Sequence, residues 1–354
     1  MNKRETFCAL ATASLLVLSG CSSSTGISTD PSASAYGTVR ISSGVNQETK
    51  IVAHLYAEAL RQAGYKTEVI ETGIERAEYL NLLQQNLDPS ASAVTGNPET
   101  LDVVPDYAGE LLMYLTDDGA FSVSYLEQLA AAERAGSSPT PSPAEPLATP
   151  SPAETTLNAT SLNSSDIHSS LQRLLPEGLG VLDASAADPK HALYTTKLNA
   201  KIHDFAALSD LADYCSTLTF DMPQSYENSA YLRKILKKAY SCAPQQFQTG
   251  SDQDERAQNL VTDRVQVADL RATAPQIGDN NLVGLHDPAN IFISQNITPI
   301  IRSKELPGSA RDAINTVSAE LTNSEITKLL KLTSGTDAIS YDDAAKFWLA
   351  QSQE

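Results

Sequence analysis

Apolar residues recur along this chain in two alternating periods from residue 38 onward. Thr38-Val39-Arg40-Ile41-Ser42 alternates with a period of two, the mark of a strand, and runs into the small polar turn Ser42-Ser43-Gly44. Ile51, Val52, Leu55, Ala59 and Leu60 then share one face at helical spacing, and Gly64 stands where a C′ glycine ends a helix. A strand is predicted over residues 66–71, a helix over 76–87 and a third strand over 101–104. This alternation predicts an α/β lobe around a largely parallel sheet. Ligands gather at the carboxyl ends of such strands, which here hold residues 42–46, 72–73 and 106–107.

Structure resumes near Asp166, and a second α/β set follows. Strands are predicted over 180–182, 191–196, 264–270, 281–285 and 297–301, and helices over 205–214 and 230–240. Amphipathic helices over 310–321 and 342–350 close the chain. Two α/β lobes with a late return of the chain predict a hinged binding protein.

Composition divides the rest. Pro139, Pro141, Pro143, Pro146, Pro150 and Pro152 lie among Ser, Thr, Ala and Glu, so residues 136–165 read as an extended, disordered insertion. At the start, Lys3 and Arg4 precede a mostly apolar run over 7–18 and then Ser19-Gly20-Cys21, the layout of a secretory signal. That run is shorter than the roughly 20 residues a membrane span needs. Residues 22–35 are too polar and small to bury a core and read as a flexible tether. The formal charge of −18 argues against nucleic acid and against docking by charge on an anionic membrane.

The Leu-Ser-Gly-Cys stretch resembles the bacterial lipobox, which implies cleavage before Cys21 and lipid attachment (palmitate) to its thiol. The alternative is an ordinary signal peptide with a chance cysteine. Of four cysteines, Cys8 and Cys21 fall in this region, leaving Cys215 and Cys242. In an exported chain they form a disulfide, closing a loop of about 27 residues for roughly 3 kcal/mol, or remain buried thiols. No CxxC or paired-histidine spacing accompanies them, so no metal site is expected.

Four blocks carry a wider resemblance: Val39 to Glu48; Leu101-Asp102-Val103-Val104-Pro105-Asp106-Tyr107-Ala108-Gly109-Glu110-Leu111-Leu112; Val267 to Ile277; and Asn281 to Pro288. The second is similar to an Ile-Asp-x-x-Pro-Glu-Tyr-Thr-Gly-x-Leu-Leu box. The chain thereby resembles the substrate-binding lipoproteins of osmoprotectant ABC importers, the glycine betaine/choline/carnitine group. The resemblance implies an α/β, two-lobed fold of the type II periplasmic-binding-protein kind with a ligand cleft between lobes. The division it suggests is a signal (1–20), a lipidated tether (21–36), lobe I (37–120 plus 279–354), the insertion (136–165) and lobe II (166–278).

A quaternary ammonium donates no hydrogen bonds and is held by aromatic faces, each contributing about 0.5–2 kcal/mol. A betaine's carboxylate needs a cationic or amide donor as well. By the resemblance Tyr107 is a cage tyrosine; the plain alternative is a tyrosine packed at a strand end. His191 stands where the family has a tyrosine, Arg271 where it has another, and Ala274 where it has an aspartate. An arginine in the cleft repels an ammonium at close range but can clamp a carboxylate, or else is a solvated strand-end charge. Ser43 and Asn46 sit at the start of a helix, where they contact ligand, cap the helix, or both. Thr72 and Thr273 share that ambiguity, and Tyr226 is a weaker candidate. Asp102, placed inside a strand, and Asp106, placed as a turn cap, read as structural.

The expected function is an extracytoplasmic solute-binding lipoprotein of an ABC importer. It would hold a small polar solute, a betaine-like quaternary amine, and deliver it to a permease with its ATPase. A monomer is expected, held at the outer face of the cell membrane by the Cys21 lipid alone, with no cofactor and no enzymatic activity: the chain has no nucleophile elbow, phosphate loop or metal cluster. The alternative is a solute-binding fold that lost transport and serves as a surface sensing or interaction lipoprotein. An enzyme acting on a quaternary amine would need observed turnover.

Overall fold

The computed structural model describes residues 37–71, 75–84, 100–116, 163–224, 230–303 and 305–352. Cys21 with the signal and tether, Thr72, Tyr226 and nearly all of the 136–165 segment lie outside these residues. The chain forms β1 (Thr38–Ser42), α1 (Gln47–Gln62), β2 (Lys66–Ile70), α2 (Arg76–Gln84), β3 (Val103–Tyr107) and α3 (Ala108–Leu115). Then come α4 (Ser164–Leu174), β4 (Leu179–Val181), β5 (His191–Thr195), α5 (Lys197–His203), a 3-10 turn (Leu208–Leu211), β6 (Thr219–Met222) and α6 (Ala230–Tyr240). Next are β7 (Gln246–Thr249), α7 (Gln253–Val261), β8 (Val267–Arg271), α8 (Pro275–Asp279), β9 (Val283–Gly284), β10 (Ile297–Arg302), α9 (Gly308–Glu320), α10 (Asn323–Leu332) and α11 (Tyr341–Gln351).

Two five-stranded sheets result, ordered β2-β1-β3-β10-β4 and β7-β6-β8-β5-β9. Neither is purely parallel. β1 runs parallel to β2 and β3, but β10 is antiparallel to both β3 and β4. In the second sheet β6 is parallel to β7 and β8, and β5 is antiparallel to β8 and β9. The antiparallel pairs arise because the returning segments enter each sheet without a helical crossover, as antiparallel neighbours can.

The sheets fix the lobe boundaries differently from the sequence division. β4 pairs with β10, setting Val181 opposite Ile300, and Ile167 and Leu171 of α4 share a buried cluster with Leu111 and Leu112. Residues 164–181 therefore belong to the first lobe, not the second. β9 pairs with β5, and Leu285, Ile291 and Phe292 pack in the second lobe's core, so the chain leaves that lobe after Phe292 and not at residue 279. Each sheet buries both faces. Val39, Ile41 and Val103 point toward α1 and Trp348, while Val104 and Ile300 point toward α3 and α4. In the second lobe Phe220 and Val267 face one cluster, and Ala268 and Leu270 the other. Both faces being covered accounts for the nearly continuous apolar runs of these strands.

Two segments connect the lobes and are pinned side by side. Asp188 accepts bonds from the Gln295 backbone (2.6 Å) and the Ser294 hydroxyl (3.0 Å). The Asn296 amide donates to the carbonyls of Ser185 (2.9 Å) and Ala187 (3.1 Å). Cys215 and Cys242 are joined by a disulfide that ties the segment after the 3-10 turn to the end of α6. Among the described residues no helix is long and apolar enough to cross a membrane.

Candidate functional site

Tyr107 ends β3, and Arg271 ends β8 in the other lobe; their side chains meet between the sheets. The Arg271 guanidinium carbon lies 4.0 Å from the centre of the Tyr107 ring, a cation–π stack. The same guanidinium donates to Glu110 (2.6 Å), across the lobes, and to the Pro189 carbonyl (3.2 Å) within its own. Its position is set by register: His191 of β5 stands directly opposite Arg271 of β8. Of the two readings of Arg271, a carboxylate clamp or a solvated strand-end charge, the second does not describe it, since only 13 % of its side chain is exposed.

Glu110 reaches this point because α3 starts immediately after Tyr107. A Cβ at Gly109 would overlap the Ser294 carbonyl oxygen, so glycine lets the first turn of α3 sit against the connecting segment. Gln295 then accepts the Glu110 backbone N–H at 3.0 Å. Glu110 also receives Arg76 of α2 at 2.9 Å. Arg76 is itself clamped bidentately by Asp106, at 2.7 and 2.8 Å, and Asp106 further accepts Tyr79 and the Tyr107 backbone N–H. Asp106 is thus a fully buried strand residue in an ion pair, not the cap of a turn; Asp102 stands just before β3 and accepts the Arg40 N–H at 2.8 Å.

On its other side the Tyr107 hydroxyl donates to Glu48 and receives the Asn46 amide at 2.5 Å. Asn46 also caps α1, its carbonyl oxygen accepting the N–H groups of Glu48 (3.0 Å) and Thr49 (3.1 Å). Thr273, two residues beyond β8, donates its hydroxyl to Glu48 from the second lobe. Among the described residues Glu48 makes no ion pair; its two carboxylate oxygens accept the Tyr107 and Thr273 hydroxyls. His191 bonds Asp269 at 2.6 Å and lies 3.8 Å from Glu110.

Titration follows these contacts. Burial would raise the Glu110 carboxyl, but Arg271, His191 and Arg76 hold it well below the usual range. Burial opposes protonation of His191, while Asp269 and Glu110 outweigh it and raise its pKa. Tyr107 is pushed well above the ordinary phenol value by burial, against the pull of Arg271 and with the help of Glu48.

The structure therefore brings Tyr107, Asn46, Arg271, Thr273 and His191 into one cluster spanning both lobes. Ser43 stands apart from these bonds: its N–H goes to the Ile70 carbonyl (2.9 Å) and its hydroxyl to Glu71. Thr72 is outside the described residues. Sequence reading did not single out Glu48, Glu110, Arg76 or Asp269. Glu110 carried a usable signal, one helical turn after Tyr107, whereas Arg76 had none.

A family model described as the substrate-binding domain of ABC-type glycine betaine transport systems matches residues 37–351. No curated protein matches the chain by sequence. Among solved structures, a glycine betaine/carnitine/choline ABC transporter protein superposes with a TM-score of 0.61 at 16 % identity, covering 88 % of this chain and 98 % of its own. YehZ of Escherichia coli, in its apo form, gives 0.59 at 16 % identity, covering 89 % and 98 %. An ABC-transporter choline-binding protein with bound choline gives 0.51 at 14 % identity, covering 90 % of each chain. The shared fold is that of type II periplasmic binding proteins.

Proposed function

Because the chain belongs to the family of substrate-binding domains of glycine betaine ABC transport systems, a family of extracytoplasmic solute-binding proteins and not of enzymes, we propose that it is the solute receptor of an importer. The solute is a small quaternary amine that also carries a carboxylate, as betaines do. The observation that carries this reading is the cluster at the carboxyl ends of β3 and β8, where the Tyr107 ring, the Arg271 guanidinium, the Thr273 hydroxyl and the Asn46 amide converge from two lobes. A quaternary ammonium takes the aromatic face, and the carboxylate takes the guanidinium and hydroxyl donors. His191, 3.8 Å from Glu110, borders this set.

Closure is a hinge motion at the paired connecting segments, which lie beside the cluster through Gly109 and Gln295. The closed form is handed to a permease and its ATPase, and the monomeric protein is tethered outside the membrane by lipid on Cys21. The test is thermal unfolding of the soluble protein with glycine betaine, carnitine, proline betaine and choline in turn. A ligand at 100 times its Kd stabilises by about 2.7 kcal/mol. The expected result is a clear upward shift with a carboxylate-bearing amine and a smaller one with choline. No shift with any of the four overturns this reading.

A further inference from the structure

The aromatic face that would hold a ligand's cation already holds a cation of the chain itself. Arg271 stacks on Tyr107 at 4.0 Å and pairs with Glu110 at 2.6 Å, and both contacts cross between the lobes. A planar guanidinium with a ring beneath it, a carboxylate at one edge and a carbonyl at another is held by the chain's own groups. An ammonium group cannot reach that face of Tyr107 while the guanidinium covers it.

We propose that Arg271 is an internal occupant of the cation site, which holds the lobes together without solute and must leave Tyr107 before an ammonium group binds there. The surrounding bonds make Arg271 the exchangeable member. When it leaves, Glu110 keeps Arg76 at 2.9 Å, and Arg76 stays fixed by Asp106, so no buried carboxylate is stranded. Arg271 keeps the Pro189 carbonyl, which lies beside it in its own lobe. It remains charged and close by, ready to pair with an anionic group on the incoming molecule. Selectivity follows. A cation with a carboxylate offers the displaced arginine a new partner, whereas a cation without one only competes with it. If the arginine covers the face nine-tenths of the time or more, the apparent affinity for such a cation falls by about 10-fold or more.

The selectivity half of this inference rests on the receptor reading; the conformational half does not, and the two are tested separately. X-ray scattering of the ligand-free soluble protein decides the latter. Wild type is expected to scatter as joined lobes, and Arg271→Ala to show a larger radius of gyration that millimolar methylguanidinium reverses. A wild type that is already open, or an Arg271→Ala protein as compact as wild type, overturns the proposal whatever the solute. Should circular dichroism show that Arg271→Ala does not fold, Glu110→Gln, which releases the guanidinium at its other end, is read against the same two outcomes. Calorimetric titration then tests selectivity. Arg271→Ala should bind choline about 10-fold more tightly than wild type and glycine betaine more weakly, and choline binding no tighter than wild type overturns that role.

Discussion

Replacing Asp106 with asparagine should cost about 3 kcal/mol of stability, and the reason lies in how many donors converge on it. Arg76 Nε (2.7 Å), Arg76 Nη2 (2.8 Å), the Tyr79 hydroxyl and the Tyr107 N–H (2.7 Å) all point at its two oxygens. The side chain has no solvent exposure. Asparagine has the same shape but one oxygen, so whichever oxygen becomes the amide nitrogen loses two bonds, one from Arg76 and one from the Tyr79 hydroxyl or the Tyr107 N–H. A bond to a charged group contributes about 1.5–3 kcal/mol. Breaking a buried ion pair from one side costs about 3–5 kcal/mol. The lower end applies here, because Arg76 keeps Glu110 and is 17 % exposed. Trp348, the only tryptophan, packs in the first lobe's core and reports its unfolding by fluorescence. With a urea m-value near 3 kcal/mol/M, the midpoint should fall by about 1 M. A loss under about 1 kcal/mol would show that the pair contributes little and that burial of the surrounding apolar groups alone fixes β3 against α2.

Two further outcomes follow from the same structure. Replacing Cys215 and Cys242 by alanine should destabilise by roughly 3 kcal/mol, since the bridge closes a separation of 27 residues, and reductant should lower the wild-type melting temperature equally; a melting curve indifferent to reductant would refute this. His191 has a native pKa raised above its ordinary 6.5, so its contribution is full below 6.5 and is lost as pH rises through the raised value. Melting temperatures taken between about pH 6 and about pH 8 should therefore decline more steeply in wild type than in His191→Gln, and parallel slopes would remove His191 from the link between Asp269 and Glu110.

Much of the local structure was legible in the chain because burial of one face leaves a periodic trace. Val39 and Ile41 mark β1, the face of Leu55 and Leu60 marks α1, and Gly64 with φ of 96° takes the left-handed position that ends it. Strand ends followed, and with them the positions of Tyr107, Asn46, Arg271 and Thr273. What periodicity cannot report is which neighbour a buried face meets. Residues 164–181 look the same whether they join the first sheet or the second, and only the pairing of Val181 with Ile300 decides it. The site's electrostatics are likewise non-local. Arg76 meets Asp106 across 30 positions, Arg271 meets Glu110 across 161, and Thr273 meets Glu48 across 225. From sequence a strand-end arginine is open to more than one role, and its desolvation is tolerable only beside the ring and carboxylate that folding brings to it. Sequence alone determined where polar and aromatic groups gather; the tertiary structure decided that they satisfy one another, because charge pairing depends on distance in space and not along the chain.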